Sequence, residues 1–228
     1  NARKYEVTEH RERFTRATCE LLDRIGLLSN GPVPLAFDIT DVHWYGDPDT
    51  AWVSGDRSRK NTTKFWKYAV LSIATHGQNY VLGVQPIKSE KTVAGVLEAM
   101  LRSVLEHLAV DIDHIYMDRG LAQEDIIRTC RQYDLDFLIQ TERRGKEIKE
   151  LLKWARDDEV ERMPDYEFKD LEGDEAVNVF AAPIHAEQVG SDKRKYRHTS
   201  WFTDYDIRIN EGRNLWGLAY QFRYRWRV

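Results

Sequence analysis

Two aspartates stand where carboxylates are costly. Asp38 follows Leu35, Ala36 and Phe37, and Asp118 follows Ile115, Tyr116 and Met117, so each closes an apolar run that reads as a buried strand. If those strands are neighbours, the carboxylates face each other, and two buried like charges are unfavourable unless a cation separates them. Magnesium and manganese prefer oxygen donors. Two such ions about 4 Å apart can activate a nucleophile and stabilise a leaving oxygen at phosphorus. The architectural alternative has one Asp ending a strand and the other accepting from a backbone amide, a common use of the residue. Asp41 competes with Asp38, but three positions along a strand its side chain takes the opposite face, which favours Asp38. His43 is close enough in sequence to join a metal site, or to be a hydrogen-bonded structural histidine.

Four basic clusters accompany the acidic pair. Arg57, Arg59, Lys60, Lys64 and Lys67 interleave with Trp52, Phe65 and Trp66. Arg143, Arg144, Lys146, Lys149 and Lys153 form the second, Lys193, Arg194, Lys195 and Arg197 the third, and Arg223, Arg225 and Arg227 the fourth. Cations of this kind bind phosphates and release counterions, and a neighbouring Trp can stack on an unpaired base. The plainer reading of any one cluster is a solvated surface balanced by nearby acids such as Asp157 and Glu161. The net charge of −4 carries no nucleic-acid signal, so that reading rests on the clusters alone.

Specific elements must hold these residues. The spacing predicts a helix over 8–28, with Phe14, Ala17, Leu21, Leu22, Ile25 and Leu28 as its apolar positions, then a strand over 33–42 and a loop over 47–63. Residues 67–75 and 79–87 read as a hairpin about His76, Gly77 and Gln78. Val93, Val96, Leu97, Met100, Leu101, Val104, Leu105 and Leu108 define a helix that starts near Ser89 and Glu90. A strand over 112–117, a helix over 122–133, a strand over 137–141 and a basic helix over 146–155 follow. After a charged stretch come strand-like pieces over 176–184 and 201–209 and a last helix over 214–228 carrying Leu215, Leu218, Phe222 and Trp226. A meander of strands followed by βαβ units gives a mixed sheet with helices packed on it.

The segments FDITDVHWYG, IYMDRGLAQEDIIRTC and YQFRYRWRV, in that order and on those elements, resemble the DDE transposases of bacterial and archaeal insertion sequences. The resemblance runs from about Val33 to the C-terminus. It implies an α/β fold: a ribonuclease H-like, mixed five-stranded sheet flanked by helices, with a strand-containing insertion at about 157–200 before the last helix. An N-terminal helical segment, 1–30, would precede the catalytic core, 31–228. Asp38 matches the first catalytic and metal-binding acid, and Asp118, in Asp118-Arg119-Gly120, matches the second. The third acid of such enzymes is a Glu in Tyr-x-x-Arg-x-x-x-Glu on the last helix. Phe222 stands where Tyr is usual and Arg225 matches the Arg. The Glu would be residue 229, one past Val228, so the 228 residues as given are expected to be inactive in strand cleavage, unless Glu211, the nearest alternative acid, completes the site.

The resemblance further implies two ions of Mg2+ or Mn2+, DNA partners in the form of transposon ends and target, and a homodimer. Arg57, Arg59, Lys60, Lys64, Trp66, Arg119, Arg223 and Arg225 are the expected DNA-binding residues, and metal-dependent strand cleavage and strand transfer at transposon ends is the expected activity. Two alternatives stay open: a ribonuclease H-like nuclease that uses water throughout, and a catalytically inactive transposase-derived DNA-binding domain. No apolar run approaches the roughly 18 residues of a membrane span, no signal peptide opens the chain, and Cys19 and Cys130 are too far apart for metal-type spacing. The expected setting is cytoplasmic and nucleoid-associated, with no membrane partner.

Overall fold

The computed structural model describes residues 2–28, 31–75, 78–88, 93–155, 159–169, 171–188, 194–207 and 215–224. It divides into two units, Asn1–Ala74 with Asn79–Asp113, and Thr75–Gln78 with His114–Val228. No helix among the described residues is long and apolar enough to cross a membrane.

The first unit contains α1 (Ala2–Arg24), β1 (Val33–His43), β2 (Val53–Arg59), β3 (Thr62–Thr75), β4 (Gln78–Ile87) and α2 (Val93–His107). β3 pairs antiparallel with β1, Leu35 opposite Ile73 and Asp41 opposite Lys67, and also pairs with β2 and β4. Leu35, Ala36 and Phe37 are consecutive and all buried, so the early part of β1 is covered on both faces. α2 buries Val93, Val96, Leu97, Met100, Leu101 and Val104, the stripe its spacing predicts, while Leu105 is exposed. Ser89 and Glu90, expected at its start, lie outside the described residues, as do His76 and Gly77 of the β3–β4 turn.

Two expectations need correction here. The segment 47–63, read as a loop, holds β2. Its sequence, VSGDRSR, has no strand periodicity, and what makes it a strand is pairing to β3 through a tight turn. Lys60 and Asn61 take φ of 48° and 64°, the left-handed pair that a two-residue hairpin turn requires. Over residues 7–28, Arg11, Thr15, Cys19, Leu22 and Leu28 are buried, whereas Phe14, Ala17, Leu21 and Ile25 are exposed. Arg11 is held on the packed face by donating from Nη1 to Gln85 on β4, while its Nε is buried without a partner among the described residues. A Cβ on Gly83 of β4 would sit 3.6 Å from the Thr15 hydroxyl and 3.9 Å from Met100, so both helices pack close to the bare backbone there.

An ion-pair network fastens the β2–β3 hairpin to β1. Lys67, 8% exposed, reaches Asp56 at 2.8 Å and Asp41 at 4.0 Å. Arg59 pairs with Asp41 and, at 3.1 Å, with Asp56, and lies 4.8 Å from the Phe65 ring centroid. Asp41 thus has a structural use.

The second unit contains β5 (Ile112–Met117) from His114 onward, α3 (Glu124–Gln132), β6 (Phe137–Gln140), α4 (Lys146–Trp154), β7 (Glu161–Tyr166), β8 (Val177–Gln188), β9 (Arg194–Thr203) and α5 (Leu215–Tyr224). The strands run in the order β5-β6-β9-β8-β7. β5 and β6 are parallel, and the remaining pairs are antiparallel. Tyr116, Phe137, Phe180 and Trp201 fill the core. β7 is a further correction: ERMPDY reads as charged coil and becomes a strand only along β8. β9 lies earlier than the expected 201–209 because the apolar signal of Trp201 and Phe202 marks the end of the strand rather than its start. Arg131 of α3 ties the chain before β8 to the chain after β9. It meets Asp204 through two 2.7 Å hydrogen bonds and donates to the carbonyls of Glu175 at 2.6 Å and Ala176 at 3.0 Å.

Replacing Lys67 with Ala removes the buried cation and leaves Asp41 and Asp56 to the half-exposed Arg59 alone, and should cost about 1–3 kcal/mol in urea denaturation. Arg59→Ala, at a half-exposed position, should cost under about 1 kcal/mol. Equal losses would show that the two cations share the network evenly. Burial pushes the Cys19 thiol up to about 11 and the Cys130 thiol well above its ordinary value. Both should resist a thiol-specific dye in the native protein at mildly alkaline pH and react after unfolding; rapid native labelling would contradict the packing.

Candidate functional site

Asp118 owes its place to β5. In the parallel pair, Ile115 lies opposite Phe137 and Met117 opposite Ile139, so the two strands end together. The residues that leave them, Asp118 after β5 and Gln140 at the end of β6, emerge at one edge. Asp118 is extended, with φ −77° and ψ 162°, and its carbonyl accepts the Leu121 N–H at 2.9 Å. That bond starts a 3-10 turn over Arg119–Leu121 that buries Leu121 and leaves Arg119 and Gly120 exposed.

α5 docks on the same unit through Leu215, Leu218, Ala219 and Phe222. The Phe222 ring stands edge-on to Tyr116 at 5.7 Å and to Trp201 at 5.6 Å. Tyr116 donates its hydroxyl to Gln221 Oε1 at 3.1 Å, and Arg223 donates to the Ile184 carbonyl. The result is a cavity of about 260 Å³ whose wall includes Asp118, Gln140, Thr199, Trp201, Phe222 and Arg223. The Trp201 indole N–H is buried and has no hydrogen-bond partner among the described residues.

In the first unit, Asp38 lies on β1 opposite Val70, at the position where continuous burial ends, and is half-buried. His43 packs its ring edge on Phe65 at 5.2 Å, and its Nε2 is buried without a hydrogen-bond partner among the described residues. Lys60 is exposed at the hairpin turn, where its carbonyl accepts the Tyr45 hydroxyl at 3.0 Å, and Lys64 is half-buried. Trp66 stacks on Trp44 at 4.6 Å, and Trp44 donates to the Asp47 carbonyl at 2.8 Å, so one face of Trp66 is already covered. Arg59 is committed to Asp41 and Asp56, and Arg57 lies on β2. Arg225 and Glu211 fall outside the described residues.

Of the predicted residues, Asp118 and Arg223 thus line one cavity. Sequence reasoning missed Gln140, Thr199 and Trp201. Gln140 had a readable signal, since it closes β6 as Asp118 follows β5. Trp201 had none, because a strand aromatic reads as core. Among the described residues, no group of three or more His, Cys, Asp or Glu is gathered to hold a metal ion. The predicted donors are carboxylates, the class that a hard divalent cation prefers.

The transposase DDE domain family matches residues 29–202, a span that includes Asp38 and Asp118. No curated protein matches. Among solved structures, a piggyBac transposase synaptic complex with hairpin DNA aligns with 80% of this chain and 35% of its own, at 13% identity and a TM-score of 0.47. The Mos1 strand transfer complex aligns with 57% of this chain and 41% of its own, at 17% identity and a TM-score of 0.31. The chain therefore spans well under half the length of either. With about three quarters of its residues inside the family match, the protein belongs to the transposase DDE domain family.

Proposed function

We propose that the protein is the catalytic domain of a DNA transposase with a ribonuclease H-like core, cleaving DNA strands at transposon ends and joining them to a target. The observation that carries this reading is the setting of Asp118: a carboxylate at the end of a buried strand, opening into a cavity shared with Arg223 and Gln140, inside the span that matches the family. The family uses divalent metal ions. Asp38 and Asp118 are the carboxylates that would hold Mg2+ or Mn2+ here. When bound, such an ion supplies Lewis acidity at phosphorus and a more acidic nucleophile.

The chain's own residues do the rest. Arg223, pinned to the Ile184 carbonyl, offers a fixed cation to a phosphate oxygen in the cavity, and Gln140 adds an amide donor. An oxygen nucleophile, water in cleavage and a DNA hydroxyl in strand transfer, forms the new P–O bond as the old one breaks. Lys60, at the tip of the β2–β3 hairpin, and Lys64 bind duplex phosphates. Arg119, exposed beside Asp118, belongs to the same DNA-contacting set. A homodimer that holds two transposon ends, acting on the nucleoid, suits this chemistry.

Asp38→Ala and Asp118→Ala should each weaken Mn2+ binding in calorimetry, with far-UV circular dichroism unchanged. If both variants unfold, the aspartates are structural. Charge reversal of Lys60 and Lys64 should weaken duplex binding and flatten the slope of log affinity against log salt by about one unit for each phosphate no longer bound. An unaltered slope would assign both lysines to the solvated surface.

A further inference from the structure

A second cavity, of about 390 Å³, lies within the second unit, and its wall includes Arg119, Ile148 of α4, Tyr166, Phe168 and Phe202. Phe202 lies nearly parallel to Tyr166 at 5.7 Å and tilted on Phe168 at 4.8 Å. This cavity fixes the side of the sheet that α4 occupies. Along β9, Thr199 and Trp201 line the Asp118 cavity together with Phe222 of α5, whereas Phe202, the next residue, lines the second cavity together with Ile148. Successive side chains of a strand take opposite faces. α5 therefore covers one face of the sheet, and α4 covers the other, packed on β7, β8 and β9.

α4 is two-sided. Ile148 and Leu151 are buried, and so is Ala155 just past its end. Lys146, Lys149 and Lys153 recur at intervals of three and four, so they share one stripe on the side away from the sheet, and all three are exposed. None of their ammonium groups has an ion-pair partner among the described residues. The arginines of the same basic cluster are engaged: Arg143 donates to the His198 carbonyl at 2.5 Å, and Arg144 meets Glu142 at 3.1 Å. Helix stability does not account for the stripe. A cation at the first helical position opposes the helix dipole, and Lys146 stands there.

We infer that the outer face of α4 seats the phosphate backbone of a DNA duplex through Lys146, Lys149 and Lys153, on the opposite face of the sheet from the α5 wall of the Asp118 cavity. The inference goes beyond the transposase reading and rests on it for the choice of DNA among polyanions. Charge complementarity selects the class of partner: three unpaired cations in a row meet a row of anions. Lys146 and Lys153 are about 10 Å apart along the helix axis, and a duplex advances about 3.4 Å per phosphate of each strand, so the row spans about three steps of one strand. An ammonium is a point charge without a planar fork, and contacts to phosphate carry no sequence information, so the seat is indifferent to sequence. With the sheet between them, the phosphates held here are not those presented to Asp118, and one chain engages two stretches of duplex.

The test is fluorescence anisotropy of the full chain with a labelled duplex of arbitrary sequence, titrated over a range of salt. Replacing all three lysines with Gln should weaken binding by roughly 10-fold and flatten the slope of log affinity against log salt by about 0.9 for each phosphate released. Mn2+ binding in calorimetry should stay at the wild-type value, because Asp38 and Asp118 are untouched. Glu150→Lys, which adds a cation beside the stripe, should tighten binding and steepen the slope. A wild-type slope in the folded triple variant overturns the inference. If the triple variant does not fold, as judged by circular dichroism, Glu150→Lys and the single variants Lys146→Gln, Lys149→Gln and Lys153→Gln decide the matter, and an unchanged slope in all four overturns it. Binding of polyglutamate or of phosphatidylserine vesicles as tightly as duplex, and equally lost in the triple variant, also overturns it, marking an acidic protein or a membrane surface as the partner. Mn2+ binding that persists through both Asp38→Ala and Asp118→Ala sinks the transposase reading and leaves the lysine result standing.

Discussion

Parallel pairing of β5 with β6 is the constraint on which the second unit depends. Parallel strands joined by a crossover helix must end on the same side, so whatever follows each strand is delivered to one edge. Ile115, Tyr116 and Met117 on one strand and Phe137, Leu138 and Ile139 on the other supply the burial that keeps the pair in register. Sheet geometry thus places Asp118 and Gln140 side by side. The Arg119–Leu121 turn and the loop before α4 leave from that same edge, which is why two cavities open beside each other there.

Charge is used in two ways in this chain. Some cations are consumed internally: Lys67 and Arg59 hold the β2–β3 hairpin to β1, and Arg131 binds Asp204 and two carbonyls to fix the ends of β8 and β9. Others, Arg119, Lys60 and Arg144, stand at turns and rims in water. Only the second kind can give up water to a phosphate at small cost. A count of basic residues by cluster merges the two, and the first basic cluster contains both kinds.

What the sequence made legible follows from where the information is local. The apolar triplets before Asp38 and Asp118, the helical stripe of α2 and the Leu218–Phe222 spacing of α5 each encode burial within a few residues, and the structure has these elements. β2 and β7 were not legible because their strand state comes from a partner, and neither VSGDRSR nor ERMPDY alternates. The face of α1 was misread because Arg11 and Thr15 are buried by polar and backbone fit instead of by apolar character. The Tyr166–Phe168–Phe202 wall could not be read at all, since its members are brought together by folding alone.

β7 ends the sheet of its unit, and a terminal strand presents unpaired amides to any passing chain. This one is poorly made for recruitment. Pro164 lacks a donor, the register slips between Met163 and Tyr166, Asp165 takes φ of 53°, and most of its side chains are polar. The sheet is thereby blunted against growth into intermolecular aggregates. The same irregularity that stops addition of another strand lies within three residues of Tyr166, so the wall of the larger cavity is built from the strand least free to become ordinary β-structure.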